Sequence, residues 1–389
     1  MTSVSWSEGG RERRAGWRPG NGAPPPREIT VVDDDIAADS ALRLARDGTA
    51  LLWRGDFHNA RQLLSALDRR LEKQASRRAA RRSARAQDQT SLRERFHATR
   101  LARSQRAAIL GKVLIELGPD HTIALRRAPD VADACEHAYG SAAGSDCSSR
   151  LVSLPELLGV MSAHQWHLTG IEVPALGEKI QPAYGVFAPT RQEYLDLVAQ
   201  ARFPEGVGEP VVVDIGTGTG VLAVLMARRG ARAVVATDVN PRAVACAADN
   251  VRRLGVADRV RVVEADLWPA EPVRADVVVC NPPWIPGRPT SALEQGIYDP
   301  RSDVLHRFLD GLPHHLAPGG QGWLILSDLA ERLGLRTRED LLGRIADAGL
   351  EVVDTHEVAP RHPRAGDADD PLHVARAAER TALWRLAVR

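Results

Sequence analysis

The sequence predicts an α/β protein. Its carboxyl-terminal half reads as a Rossmann-like, mostly parallel sheet with the last strand antiparallel, preceded by a mainly helical N-terminal domain. Three observations predict this. From Pro210 onward, short apolar runs alternate with helical stretches; a glycine-rich turn ends the first run; acidic residues end the next two. Strands separated by helices of that length need right-handed crossovers, so they lie parallel.

Taken in order, residues 1–28 are rich in Gly, Pro and Arg and read as a flexible tail. Residues 29–150 read as the helical domain, a candidate for substrate recognition. Leu42, Leu44 and Ala45 precede Gly48, a helix stop; Asp56 opens a second helix carrying Leu63, Leu64, Leu67 and Leu71; Pro129 and Asp130 start a short helix that Gly140 ends. Residues 141–150 resemble a linker in composition, and 151–188 read as a connecting stretch with a short helix and extended segments. Residues 189–389 form the sheet domain. Its strands are expected at 211–216, 233–238, 260–266, 275–284 and 322–328, and its helices at 220–229, 241–254, 302–316 and 337–348. Segments 351–358 and 382–388 close the sheet as a hairpin.

Bulk composition removes several classes. The 389 residues suit two domains, and no run of about 18 apolar residues exists to span a membrane. The first thirty residues lack the apolar core of a secretory leader. Cys135, Cys147, Cys246 and Cys280 have neither zinc-ligand nor disulfide-framework spacing, so no metal is expected and a reduced, cytoplasmic protein is. The net charge of +1 gives no global field for nucleic acid or membrane. Arginines do cluster between Arg69 and Arg106, but without the interleaved aromatics of a base-stacking platform.

The chemistry concentrates at predicted strand ends. Asp214-Ile215-Gly216-Thr217-Gly218-Thr219-Gly220 joins the first strand of the sheet domain to a helix, where glycines let backbone approach a ligand. Asp238 ends the next strand, where a carboxylate can accept from both hydroxyls of a ribose; Val239 and Asn240 follow it. Asp266 ends the third, beside Leu267, and can accept from an exocyclic adenine amine. Asp214 can orient the loop or meet a ligand ammonium. The spacing is not GxGxxG, and no Walker lysine follows. A ligand with adenine, ribose and a cationic tail, without an obligatory phosphate, is S-adenosylmethionine rather than a dinucleotide or a triphosphate.

Asn281-Pro282-Pro283-Trp284 follows the fourth strand. An NH2 group offers two donors. The Asn281 side-chain oxygen can accept one and the Pro282 carbonyl the other, which aims the nitrogen lone pair. The prolines fix φ and remove competing donors. Trp284 offers a flat face to a planar amide, guanidine or base. The loop 285–301 is a natural substrate gate, with Tyr298, Asp299 and Arg301 as candidate specificity residues.

Together VVVDIGTGTG, ATDVN, EADLW and CNPPW resemble the class I S-adenosylmethionine-dependent methyltransferases, over about residues 180–389. Within them the chain is similar to the amino-methylating group with an Asn-Pro-Pro-aromatic motif. That group includes the release-factor glutamine N-methyltransferases and several rRNA guanine and DNA adenine enzymes. The resemblance implies that Gly216, Thr217, Gly218 and Gly220 cradle the cofactor with Asp214, Asp238, Val239, Asn240, Asp266, Leu267 and Asn281. It implies that Asn281, Pro282 and Trp284 do the chemistry. The segment Phe187-Ala188-Pro189-Thr190-Arg191-Gln192-Glu193 resembles one that lies over the cofactor, which places Pro189 at the cofactor and Phe187 and Arg191 at the substrate. Trp284 stands where the release-factor enzymes usually carry tyrosine, and the N-terminal part is longer than theirs. The implied acceptor is an amide, guanidine or amine nitrogen, on a protein glutamine or arginine side chain or on a small metabolite. An RNA base amino group and a non-catalytic adaptor remain the alternatives.

Overall fold

The computed structural model describes residues 2–17, 19–20, 22–83, 91–141, 149–291, 293–361 and 366–389. It divides into two compact units, 1–165 and 166–389. The stretches 84–90, in the arginine-rich run, and 142–148, with Cys147, lie outside the described residues.

The first unit departs from the sequence expectation. Residues 1–28 begin with two strands, β1 (Thr2–Glu8) and β2 (Arg11–Trp17). They pair antiparallel across Gly9-Gly10, whose φ values of +58° and +74° suit a two-residue hairpin turn. Val4, Trp6, Ala15 and Trp17 are buried at period-two spacing, and the Trp17 indole donates to the Ala23 carbonyl at 2.9 Å. Average composition hid this alternation, so the tail expectation is corrected.

Residues 29–150 are mainly helical, as expected, but they also carry strands of a sheet that the sequence reading did not place. The unit continues with β3 (Ile29–Val32), α1 (Ala38–Asp47), β4 (Ala50–Trp53), α2 (Phe57–Ser83), α3 (Leu92–Leu110), β5 (Val113–Leu117), α4 (Ala132–Tyr139) and β6 (Arg150–Ser153). The six strands form one sheet in the order β1-β2-β6-β5-β4-β3. β4 is buried at every residue, and β5 at all but Glu116. Short apolar runs of this kind look alike in a buried strand and a buried helix, so periodicity does not separate them. The expected helix signals hold: Gly48 ends α1 in the left-handed region, Asp56 caps α2 through the His58 N–H at 2.8 Å, and Gly140 follows α4.

Residues 151–188, expected as a connecting stretch, are more ordered than that. They hold α5 (Leu154–Thr169), within which the unit boundary falls, and the hairpin β7 (Ile171–Val173) and β8 (Glu178–Ile180).

The second unit follows the expected order closely. After α6 (Glu193–Gln200) come β9 (Val211–Ile215), α7 (Val221–Arg228), β10 (Ala233–Asp238), α8 (Pro241–Arg253), β11 (Val260–Glu264) and β12 (Ala275–Cys280). The short pair β13 (Ile285–Pro286) and β14 (Tyr298–Asp299) precedes α9 (Asp303–His315), β15 (Leu316–Ser327), α10 (Leu329–Arg332), α11 (Arg338–Asp347), β16 (Leu350–Val358), α12 (His373–Ala377) and β17 (Thr381–Val388). The seven-stranded order is β11-β10-β9-β12-β15-β17-β16, parallel except for β17, which runs antiparallel to both neighbours. This is the mostly parallel, Rossmann-like sheet that the sequence predicts. Val212, Val277, Val279 and Ile325 face one buried cluster; Val213, Val278, Leu324 and Leu326 face the other. Burial on both faces explains why the central strands read as continuous apolar runs.

Both of those clusters are built from residues beyond 172. A chain shortened to residues 166–389 is therefore expected to unfold cooperatively on heating, followed by far-ultraviolet circular dichroism. A gradual, non-cooperative loss of signal would contradict the division.

Candidate active site

β9 carries its residues into a crevice. β10 pairs on one side of it and β12 on the other, so the chain leaves the sheet in opposite directions and ligand space opens beyond the strand ends. The register sets Cys280 beside Ile215, so Asn281 follows β12 level with Gly216.

The loop after β9 needs its glycines. Gly216, Gly218 and Gly220 have φ of +70°, +55° and +80°, where a side chain is strained. A Cβ on Gly220 would stand 3.2 Å from the Ala247 Cα, so the loop lies tight on α8. A Cβ on Gly216 would meet nothing within 4 Å, which leaves open space for a ligand. Two carboxylates tie this loop down. The Thr217 hydroxyl donates to Asp214 at 2.6 Å, and the Gly218 N–H donates to Asp238 at 2.9 Å. The Thr217 N–H also donates to the Thr237 carbonyl at 2.8 Å.

Asp214 is fully buried, and its Oδ1 has no hydrogen-bond partner. Burial pushes its carboxyl up to about 7, against the Thr217 and Ala223 donors that favour the anion. Asp238 is also raised by burial, although the N–H groups of Asn240, Gly218 and Val239 oppose this. Asn240 accepts from the Arg242 N–H at 3.0 Å and caps α8, and Val239 stands 64% exposed between them.

Asp266 is less available than the sequence suggests. It is exposed and paired with Arg307 of α9 at 2.7 Å. Leu267 takes a positive φ of 68°, and its carbonyl accepts from the Thr237 hydroxyl at 2.6 Å.

On the acceptor side, the Trp284 indole N–H donates to Asn281 Oδ1 at 2.8 Å, and Pro282 is buried. Phe187 lies between two loops. A Cβ on Gly296 would stand 2.9 Å from the Phe187 Cβ, and a Cβ on Gly218 would stand 3.9 Å from the Phe187 carbonyl oxygen. Pro189 is buried, and the half-buried Tyr298 rests on Gly287.

Two expectations change. Asp299 is buried and accepts the Val304 and Leu305 N–H groups at 3.2 Å each, so it caps α9 and does not face substrate. Arg191 does not reach out to substrate either. It forms a bidentate pair with buried Glu379 at 2.7 and 2.8 Å and lies over the Trp284 ring, 5.1 Å from its centroid.

Sequence reasoning missed Glu379, Arg307 and Asn250, and gave no separate role to Glu193. Glu193 is buried, and its Oε1 accepts no hydrogen bond but forms an ion pair with Arg191 Nε at 3.8 Å. Asn250 joins α8 to the glycine loop and to Gln181, donating to the Thr219 and Gln181 carbonyls at 3.1 and 2.9 Å. A polar amide on the Ala/Val face of α8 was the one signal that could have revealed it.

The Asp214 shift has a pH consequence. Between about pH 4 and 7 the folded chain keeps a proton that the unfolded chain has released, so stability falls as pH rises through that window and levels off above it. Asp214→Asn should remove part of that fall, up to about 4 kcal/mol at about 1.4 kcal/mol per pH unit. Urea unfolding at about pH 5 and pH 8 checks this, and parallel losses in both proteins would exclude it.

Residues 185–332 match the methyltransferase small domain family. A release factor glutamine methyltransferase of Cereibacter sphaeroides is 36% identical over 151 residues, which cover 36% of this chain and 52% of that protein. A putative protein N5-glutamine methyltransferase of Methanocaldococcus jannaschii is 32% identical over 165 residues, 41% of this chain and 80% of that protein. The ribosomal RNA small subunit methyltransferase C of Alcanivorax borkumensis is 33% identical over 143 residues, 36% of this chain and 40% of that protein. The chain thus spans about half the length of the release-factor relative.

Proposed function

From the premise that this chain belongs to the methyltransferase small domain family, whose cofactor here is S-adenosylmethionine, we propose that it methylates a carboxamide nitrogen, that of a protein glutamine side chain. The observation that carries the reading is Asn281-Pro282 at the end of β12, level with the open space at Gly216.

The residues present fit the cofactor. The unpartnered, buried Oδ1 of Asp214 suits an ammonium group, the open side of Gly216 suits a methionine chain, and Asp238 suits ribose hydroxyls. Val239 offers exposed apolar surface to a base. Asp266 gives Oδ2 to Arg307, and its Oδ1 would accept from an adenine amine. When bound, S-adenosylmethionine supplies an electrophilic methyl.

The chain's own residues then do three things. Asn281 Oδ1 and the Pro282 carbonyl accept the two N–H groups of the substrate carboxamide, which directs its nitrogen at near-attack distance, about 3 Å. The same two oxygens stabilise the positive charge that develops on that nitrogen. No separate base is needed, because the nitrogen's proton becomes strongly acidic as the new N–C bond forms and is lost to solvent, while the sulfonium would leave as the neutral thioether. The support for glutamine is the similarity to two proteins named as glutamine methyltransferases. We assign substrate choice to the N-terminal unit, because every cofactor-facing residue lies beyond 185.

Mass spectrometry and NMR of the product test the assignment. The methyl is expected on the side-chain nitrogen of glutamine in a release-factor substrate. A methyl on oxygen, carbon or sulfur, or on an RNA base offered in parallel, would overturn it. Asn281→Ala should keep S-adenosylhomocysteine affinity and raise the barrier by about 2–4 kcal/mol, the scale of one preorganised polar contact. Asp238→Ala should instead weaken S-adenosylhomocysteine binding by about 1–3 kcal/mol in calorimetry, and unchanged affinity would remove Asp238 from the ribose site.

A further inference from the structure

Trp284 does more at this site than offer a flat surface. Its indole Nε1 stands 2.8 Å from Asn281 Oδ1, and an indole N–H can only donate. The partner atom must therefore be the carboxamide oxygen and not its NH2, which settles the orientation of the Asn281 side chain. One lone pair of Oδ1 is taken by the indole, and the other is left for a substrate N–H. The terminal torsion of asparagine is broad and roughly two-fold, so an untethered carboxamide could turn its NH2 toward the substrate nitrogen, donor against donor.

The indole is itself held. The Arg191 guanidinium lies over its ring, 5.1 Å from the centroid. Arg191 is clamped in turn by both oxygens of Glu379, which is fully buried and also accepts from the Ser327 hydroxyl. A bidentate arginine–carboxylate pair has little rotational freedom, so the ring plane inherits its placement. A phenylalanine ring would present only C–H to Asn281.

We propose that Trp284 is a positioning residue, which holds the Asn281 carboxamide oxygen toward substrate through its indole N–H and is itself held by the Arg191–Glu379 pair. The proposal rests on the role given to Asn281 above, and the test separates the two.

The first arm needs no turnover. In the full chain with S-adenosylhomocysteine, the Trp284 indole N–H resonance is assigned by its loss in Trp284→Phe. Asn281→Ala is expected to shift that proton upfield and speed its exchange with solvent; an unchanged shift and exchange rate overturn the tether. The second arm is methyl transfer to a release-factor substrate. Trp284→Phe is expected to lower kcat by about five- to tenfold, the worth of one hydrogen bond, with the KM for S-adenosylmethionine kept within about twofold. In an Asn281→Ala background, Trp284→Phe is expected to add no further loss. Multiplying losses would overturn the proposal and make Trp284 an independent contact. Arg191→Lys keeps the charge but loses the fork, and is expected to show the same split at smaller amplitude; wild-type kcat would remove the arginine from the chain of contacts. If the wild-type protein leaves glutamine unmethylated, the proposed function falls, and the resonance arm still decides the tether.

Discussion

Everything at the crevice depends on how two carboxylates hold one loop. Asp214 accepts from the Thr217 hydroxyl and Asp238 accepts from the Gly218 N–H, from neighbouring strands of the same sheet. The three glycines of that loop are in conformations strained for any other residue, and hydrogen bonds keep them there. Burying two carboxylates side by side is costly, which is why both are harder to ionise than a free aspartate. A cationic, hydroxyl-rich ligand in the proposed site would relieve that cost, so structure and the proposed binding would draw on the same groups.

A second dependence runs across the whole unit. Arg191 and Glu379 are 188 residues apart and meet in a two-pronged pair with almost no solvent on the carboxylate. The pair links the segment before α6 to the loop before β17, and it sits against Trp284. Breaking one partner would leave a buried charge alone, which costs more than the pair contributes in net terms. This pairing already engages both terminal nitrogens of Arg191.

The N-terminal unit shows where sequence reading loses its footing. Val4, Trp6, Ala15 and Trp17 are four residues in a stretch otherwise dominated by Gly, Arg, Ser and Glu, and a compositional average hides their period of two. LLW at 51–53 and VLIEL at 113–117 are long enough to be buried strands but too short to show a period. Only their neighbours in the sheet decide between strand and helix.

The sequence by itself determined the order of elements in the second unit and the positions of the glycine loop, Asp238 and Asn281. These follow from local requirements: apolar runs for buried strands, positive φ for glycines, fixed φ for prolines. The tertiary structure decided which polar groups are already engaged. Asp299 caps α9, Asp266 faces Arg307, Arg191 faces Glu379, and the Trp284 N–H faces Asn281. Each partner comes from a separate turn or a distant segment, and burial sets the charge each can hold. No local pattern carries that information, because hydrogen bonding and desolvation depend on what the rest of the chain brings alongside.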